Sequence, residues 1–248
     1  MAVLLITALL CGAAAVYAEG TADAAASDST AKTEVGSIVS FGRYEQDNNK
    51  ENGPEPIEWI VLDTDGEKAL LLSRYGLDTI QYNQRYVAVT WETCTLRSWL
   101  NNEFLSSAFS EEEQSAILLT DVDNSAEQGY YGRDGGNNTQ DKVFLLSYAE
   151  ANKYLGVTYN SNDNVQARVT PTAYALARGA WTKKGYKTPE GADAGRWWLR
   201  SPGRHSHRAS HVYGTGAGRD NQATAHSPLF GYDLVRPVVW VNLEADIF

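Results

Sequence analysis

Alternating apolar positions predict a β-hairpin close to the start of the folded part of the chain. Ile57, Trp59 and Val61 share one face of an extended segment, and the Asp65–Gly66 pair separates them from an apolar run at 69–72. Period-two alternation is typical of a half-buried strand, and Asp-Gly is a frequent tight hairpin turn. The pattern therefore predicts two antiparallel strands.

Helical spacing and capping signals predict helices in the middle of the chain. Leu96, Trp99, Leu100 and Phe104 recur every three to four residues, which places them on one helix face. A serine followed three residues later by glutamate is a capping box, and threonine before proline is a frequent helix start. The predicted starts are Ser110 with Glu113, Ser147 with Glu150, and Thr170 with Pro171, the last helix ending near Gly179.

Short strands and turns dominate the C-terminal part of the chain. One predicted strand, DKVFLLS (141–147), lies between the helices. The other predicted strands are Trp197–Arg200, His211–Tyr213, Ala217–Arg219 and LVRPVVWVNL (234–243). No internal repeat or mid-chain linker interrupts 36–248. Strands mixed with helices in one uninterrupted stretch predict a single α+β domain over 36–248.

The first eighteen residues have the pattern of an export signal. They are apolar and uncharged, and Val16–Ala18 offers small residues at the positions that precede a signal cleavage site. The stretch is too short for a comfortable membrane span, so we do not expect an integral membrane protein. We expect a signal peptide at 1–18, a flexible polar leader at 19–35, and an extracellular or cell-surface location. Lipidation at Cys11 is the alternative.

Charge and cysteine content narrow the function further. The formal net charge is −10, which repels phosphate backbones and argues against nucleic acid as a partner. Once residues 1–18 are removed, Cys94 is the only cysteine, so an internal disulfide is impossible. Its apolar surroundings in TWETCTLRSWL predict a buried, inert thiol.

All four histidines lie in one C-terminal segment, which raises two alternatives. His205, His207 and His211 have the spacing H-x-H-x3-H, which could hold zinc and support a zinc-dependent hydrolase. Arg204 and Arg208 lie among them and would repel a dication. The other alternative is a ligand-binding surface that happens to include histidines.

Several motifs resemble a large family of exported bacterial proteins. They are FGRYEQDNN, LRSWLN, DKVFLLS, WWLRSPG and VRPVVWVNL, and the similarity covers about residues 36–244. That family is similar to the C-type-lectin-like fold of formylglycine-generating enzymes and of the variable proteins of diversity-generating retroelements. The resemblance implies a C-type-lectin-like scaffold with a diversified C-terminal ligand surface. Formylglycine-generating enzymes use a cysteine pair, and the single Cys94 therefore implies a binding protein without enzymatic activity.

Residue types in the segment 204–234 agree with diversification. Adenine-directed mutagenesis of AAC-type codons cannot produce Lys, Glu, Gln, Met or Trp. These five types account for 40 of the 248 residues, so about five would be expected in the segment, and only Gln222 occurs. Trp197, Trp198 and Trp240 lie just outside it.

The segment 204–234 has the composition of a paratope. Arg and Tyr are frequent interface hot spots, and Asn adapts its hydrogen bonding. We predict that the ligand-binding residues are Arg204, His205, His207, Arg208, His211, Tyr213, Arg219, Asp220, Asn221, His226, Phe230, Tyr232 and Asp233. The small or apolar residues between them are expected to face inward, namely Ala209, Val212, Ala223 and Ala225. The expected partner is a protein or glycan at a cell or phage surface.

The residues flanking this segment are predicted to be structural. Trp197, Trp198 and Trp240 are expected in or beside the core, and Arg200 and Arg236 are expected to anchor the ends of the segment through buried hydrogen bonds or a carboxylate partner.

Two further alternatives concern other parts of the chain or its role as a whole. The Gly- and Asn-rich loop at 129–140 and its surroundings could ligate calcium, although the spacing matches no EF-hand. The candidate oxygen ligands are Asp121, Asp123, Asp134, Asn137, Asn138 and Asp141. A structural role in the cell envelope is the other alternative. No cofactor is otherwise expected.

Overall fold

The computed structural model describes residues 33–160, 163–222 and 232–245, all within one compact unit that starts at Thr33. The fold is mixed α/β, with most of its regular structure in strands. The strands are β1 Ile38–Tyr44, β2 Glu55–Asp65, β3 Lys68–Ser73, β4 Asp78–Thr79, β5 Thr120–Val122, β6 Thr139–Asp141, β7 Thr182–Lys187, β8 Asp193–Gly195, β9 Trp197–Pro202, β10 Arg208–Val212, β11 Gly218–Gln222, β12 Leu234–Val235 and β13 Val238–Asn242. The signal peptide and most of the leader predicted for 1–35 lie outside the described residues.

These strands form two main sheets and two small ribbons. One sheet has four strands in the order β1-β2-β3-β13, and the other has five in the order β11-β10-β9-β12-β4. The ribbons pair β5 with β6 and β7 with β8. Only Arg236 and Pro237 separate β12 from β13, so the chain passes directly from one main sheet to the other.

The predicted hairpin is the centre of the four-stranded sheet. Asp65 pairs with Lys68 across a two-residue turn, in which Gly66 adopts a φ of +61° that other residues reach only at a cost. Ile57, Trp59 and Val61 are buried, as their alternation predicts. The pairing of β13 with β3 then places Val238 opposite Leu72 and completes the sheet.

The helices are short, and two of the three predicted starts are confirmed. They are α1 Thr95–Trp99, α2 Leu105–Ala108, α3 Glu111–Ala116, α4 Tyr148–Leu155 and α5 Ala173–Ala177, with a π-helical turn at Leu100–Phe104 joining α1 to α2. Leu96, Leu100 and Phe104 are fully buried on one face. Both capping boxes form, at the starts of α3 and α4.

The predicted start of the last helix is wrong by two residues. The N-cap of α5 is Thr172, whose side chain accepts a hydrogen bond from the Ala175 amide at 3.1 Å. The hydroxyl of Thr170 instead hydrogen-bonds with Thr188 and donates to Glu190. Two threonines flank the proline, and only their tertiary partners decide between them.

The strand predicted for DKVFLLS is also wrong. Asp141 is the end of β6, and Phe144 makes an isolated bridge to Val238, but the rest of the segment is irregular. Its apolar residues are nevertheless buried, and the Leu146 carbonyl accepts a hydrogen bond from the Arg200 amide. A short apolar run shows that a segment is buried, whereas strand pairing depends on which neighbours receive its backbone groups.

Two of the three tryptophans that flank the segment and the cysteine occupy core positions. Trp197 and Trp198 are fully buried on opposite faces of β9, and their indole groups donate hydrogen bonds to the carbonyls of Ala167 and Ile80. Trp240 is half-exposed on β13. Cys94 is 3% exposed, so its predicted burial is confirmed, and this burial raises the pKa of its thiol to about 12.

Candidate ligand-binding surface

The β10–β11 hairpin divides the predicted ligand residues between two faces. Side chains alternate along a strand, and directly paired residues share a face. His211 pairs with Arg219, and Ala209 pairs with Asn221, so these four lie on one face. Ser210 pairs with Asp220 and therefore lies on the other face.

A buried ionic cluster lies beneath the first face. Asp233 is 1% exposed and contacts Nδ1 of His211 at 2.6 Å. Its other oxygen lies 2.7 Å from Nε of Arg196 in an ion pair without the alignment of a hydrogen bond. Burial alone would raise the pKa of Asp233, but the charge of His211, its hydrogen bond and the charge of Arg196 outweigh burial and hold that pKa below its usual value.

The prediction that His211 and Asp233 belong to the exposed surface is wrong. Both side chains are buried, and each is the other's hydrogen-bonding partner within the core. Sequence reasoning assigned them by residue type alone. The inward direction predicted for Ala209 and Val212 is confirmed, since both are fully buried.

Above the ionic cluster, aromatic rings and cations stack in a half-exposed group. We name this group the Tyr213 patch, and its members are Trp181, Lys183, Arg196, Tyr213 and Arg219. The Tyr213 ring lies 5.0 Å from the ring of Trp181, and the Arg219 guanidinium lies 4.7 Å from its centroid. The Arg196 guanidinium lies 4.6 Å from the Trp181 ring, and the Lys183 ammonium lies 5.8 Å from that of Tyr213.

Two predicted ligand residues lie at the edge of the Tyr213 patch. Asn221 is half-exposed on β11, next to Arg219 on the same face, and its side chain hydrogen-bonds with Asp233. Tyr232 is half-exposed, and its ring lies over Gly179. The structure therefore brings Tyr213, Arg219 and Asn221 together on one face. Tyr232 lies at the edge of this group and directly precedes the buried Asp233 in sequence.

Asp220, Arg204 and Arg208 lie on the opposite face, beside a cluster of tyrosines. The Asp220 carboxylate accepts hydrogen bonds from the Arg204 amide at 3.1 Å, from Arg208 at 3.2 Å and from the Tyr131 hydroxyl at 3.0 Å. These donors outweigh burial and lower the pKa of Asp220. Asp220 therefore organises this face and is largely covered.

The tyrosine cluster next to Asp220 consists of Tyr130, Tyr131, Tyr148 and Tyr159. The rings of Tyr130 and Tyr159 stack almost in parallel with centroids 3.9 Å apart, and the hydroxyls of Tyr131 and Tyr159 share a hydrogen bond. Tyr130 is 49% exposed. A Gly-rich loop that contains adjacent tyrosines was a signal for exposed rings that the sequence reasoning missed.

The remaining two described histidines lie in the β9–β10 loop. The rings of His205 and His207 are parallel with centroids 5.7 Å apart, and His207 also contacts Tyr86 at 4.8 Å. His211 is separate, because its Nδ1 faces Asp233. In the part of the chain that the structure describes, these three histidines do not bring their ring nitrogens together as zinc ligands would. The geometry therefore gives no support to the zinc hydrolase.

The carboxylates proposed as calcium ligands have protein donors of their own. Asp141 accepts hydrogen bonds from Arg97 and Trp91, and Asp123 accepts them from Ser125 and Gln128. Among the described residues, the carboxylates whose oxygens converge are instead Glu45, Asp47 and Glu55, a type of group that is common without an ion.

Arg200 and Arg236, the two arginines that flank the segment, differ in their bonding partners. Arg200 makes a bidentate pair with Glu150 and donates to the carbonyls of Leu145 and Asp123, as an anchoring role predicts. Arg236 donates from Nε to the Ser73 carbonyl at 2.9 Å. Within the described residues, it has no carboxylate ion-pair partner.

Two residues of the Tyr213 patch were not predicted from the sequence, and four predicted residues lie outside the described part of the chain. Trp181 and Lys183 come from β7 and its approach, far from the predicted segment in sequence, and only the fold shows that they meet Tyr213. His226, Phe230, Ala223 and Ala225 lie outside the described residues.

The fold and this surface define a mixed α/β domain with a half-exposed group of stacked aromatic and cationic side chains. The chain belongs to the family described as Domain of unknown function (DUF6273), whose model matches residues 66–243. The match runs from the β2–β3 turn to the end of β13 and includes the whole Tyr213 patch. None of the curated proteins and none of the solved structures matched the chain.

Among the described residues, no helix is both long enough and apolar enough to cross a membrane.

Proposed function

We propose that this protein is an exported binding protein that captures an acidic protein or glycan at a cell or phage surface through the Tyr213 patch. The observation that carries the proposal is the packing of Tyr213 between Trp181 and Arg219 above the buried His211–Asp233 pair. Aromatic and arginine side chains supply most of the binding energy in many interfaces.

Rigidity favours binding by these side chains. Each ring or cation of the Tyr213 patch already contacts another member, so little side-chain freedom is lost when a ligand binds. Arg196 links the patch to the buried Asp233, which fixes the guanidinium beneath Trp181. The ionic cluster therefore supports the surface without contacting the ligand.

Charge favours an acidic ligand. The chain as a whole carries −10, whereas the Tyr213 patch presents Lys183 and Arg219, and Asp233 beneath it is buried and paired. A cationic patch on an acidic protein attracts anionic partners and repels further copies of the chain through the rest of its surface.

The proposal includes a C-type-lectin-like scaffold whose segment 204–234 is diversified by a retroelement. The near absence of Lys, Glu, Gln, Met and Trp from that segment supports it, as does the placement of Tyr213, Arg219 and Asn221 on one half-exposed face. A near-identical template repeat and a reverse-transcriptase gene beside the coding region are the expected genomic features. Their absence from complete genomes that encode close relatives would overturn the diversification part alone.

Binding is tested with a glycan array and a displayed random-peptide library. We expect enrichment of sulfated, uronic-acid or sialylated glycans, or of peptides rich in Asp and Glu. Arg219→Ser and Tyr213→Ser should each abolish capture of the enriched ligand. Arg43→Ser, which removes an exposed arginine on β1, is the matched control and should bind like the wild type. Equal binding by all three variants would overturn the proposal.

A further inference from the structure

A cavity of about 370 Å³ lies on the side of β9 opposite the Tyr213 patch. Its apolar wall includes Ile60 and Leu62 of β2 and Leu155 of α4, and its charged residues are Arg74, Arg168, Glu190 and Arg236. Ligand pockets usually enclose ~300–1,000 Å³, so the cavity is large enough for a small molecule. The residues that line the cavity lie outside the predicted ligand surface, which Arg236 flanks.

Arg236 is the unusual residue of this cavity. It is 2% exposed, and its guanidinium lies 5.0 Å from the centroid of the Trp197 ring. Its Nε donates to the Ser73 carbonyl, but its Nη1 is buried and has no hydrogen-bond partner among the described residues. Buried charges are normally paired, because an unpaired one loses its hydration without compensation.

The other charged groups of the cavity already have partners. Arg74 pairs with Glu58 at 2.7 Å and with Glu190 at 3.3 Å, and Glu190 also accepts from the Thr170 hydroxyl. Arg168 pairs with Asp163, although its Nε is buried without an acceptor among the described residues. Two guanidinium nitrogens without acceptors among the described residues are thus buried in residues that line the cavity, next to its apolar wall.

Burial also lowers the pKa of Arg236 to about 9. At neutral pH the side chain is therefore still a cation, held in a place that disfavours its charge. An anion bound beside it would offset that cost.

We propose that this cavity binds a small organic carboxylate with an apolar substituent. The carboxylate accepts hydrogen bonds from Arg236, and the substituent packs against Ile60, Leu62 and Leu155. A carboxylate suits the planar guanidinium fork, and the apolar wall favours a hydrocarbon group over a second charge. This site is independent of the Tyr213 patch.

The first experiment uses four probes on the full chain by calorimetric titration. 4-Methylpentanoate should bind saturably with one site per chain. 4-Methylpentanamide, which keeps the shape but lacks the charge, should bind roughly thirtyfold more weakly, because a buried charge pair is lost. Acetate and inorganic phosphate, which lack the apolar group, should also bind much more weakly. Equal affinity for the acid and the amide, or no binding of the acid, would overturn the proposal.

The second experiment compares two arginine variants. Arg236→Met keeps the length of the side chain over Trp197 but removes the donors, and it should lose binding of 4-methylpentanoate. Arg85→Met removes an exposed arginine in a loop and should bind like the wild type. Binding retained in Arg236→Met would contradict the site.

A third variant covers the case in which Arg236→Met does not fold. Arg168→Met removes the second buried donor of the cavity, and it should bind 4-methylpentanoate more weakly than the wild type while leaving affinity for the amide unchanged. If both affinities fall together or neither changes, the guanidinium groups do not recognise the carboxylate and the proposal fails.

Discussion

The two main sheets are stabilised by different means. In the four-stranded sheet, β3 and β13 bury an almost continuous apolar surface, with Leu71 and Val239 directly paired. The five-stranded sheet also buries apolar residues, but it contains buried charges on β4, on β9 and at the residue directly before β12. They are Asp78, Arg200 and Asp233, with Arg178, Glu150 and the His211–Arg196 pair as their respective partners.

The difference shows that the two sheets of one domain depend on specific residues to different degrees. Apolar pairs stabilise a sheet in proportion to the area that they bury and tolerate exchange among similar residues. A buried charge requires one particular partner at one distance, so it fixes the register of the strands that carry it. The sheet that carries the candidate surface is the one with this requirement.

The largest effect is expected from breaking the buried pair of the five-stranded sheet. Asp233→Ala leaves His211 and Arg196 buried without their counter-charge, which should reduce the free energy of unfolding by about 3–5 kcal/mol. Urea denaturation measures this loss of stability. Asp193→Ala, which removes the carboxylate of the more exposed ion pair with Lys187, is the matched control and should leave the free energy of unfolding almost unchanged. Equal losses in both variants would show that burial of the pair is unimportant.

A somewhat smaller loss is expected in the four-stranded sheet. Leu71→Ala creates a cavity among apolar neighbours and should reduce the free energy of unfolding by about 2–4 kcal/mol. Leu71→Met keeps most of the volume and should cost less than about 1.5 kcal/mol. If the methionine variant is as unstable as the alanine variant, the four-stranded sheet requires specific residues to the same degree as the five-stranded sheet.

Acid should affect the two sheets differently. The pKa of Asp233 is lower in the folded state than in the unfolded chain, so the unfolded state binds more protons in acid. The stabilisation from Asp233 is therefore complete above the usual range of aspartate, about pH 4, and is lost as the pH falls through the lowered folded-state pKa. Between neutral pH and pH 3, the unfolding free energy of the wild type should fall more steeply than that of Asp233→Asn. Leu71→Ala should retain the wild-type slope, and a flatter slope in that variant would contradict the assignment.

The smallest effect on stability is expected on the surface. Arg219→Ser removes a half-exposed side chain that stacks on Tyr213 and should change the free energy of unfolding by less than about 0.5 kcal/mol. Thermal unfolding checks this value in the same preparation used for ligand capture. A loss of several kcal/mol would mean that the patch is part of the core of the five-stranded sheet.

The same contrast explains what the sequence could predict. The hairpin of β2 and β3, the capping boxes at Ser110 and Ser147, and the buried tryptophans depend on local pattern, and the structure confirms them. The burial of His211 depends on Asp233, twenty-two residues away, and no spacing rule indicates that pairing. Residue type therefore assigned His211 to the surface incorrectly.

Long-range neighbours also explain the residues that sequence reasoning missed. Trp181 directly precedes β7, and nothing in its local sequence indicates that its ring meets Tyr213. Likewise, Arg236 resembles Arg200 as a single arginine beside the segment, but among the described residues only Arg200 pairs with a carboxylate.

The position of β13 has a consequence for the proposed diversification of segment 204–234. Because β13 pairs with β3, the sheet that starts at residue 38 is completed only by residues 238–242. A stop codon or frameshift within codons 204–234 would delete β13 and leave the apolar edge of β3 without a partner, and such edges promote aggregation and degradation. Mutations that introduce a stop codon or a frameshift in the segment would thus yield misfolded protein, and only in-frame variants would accumulate as folded protein.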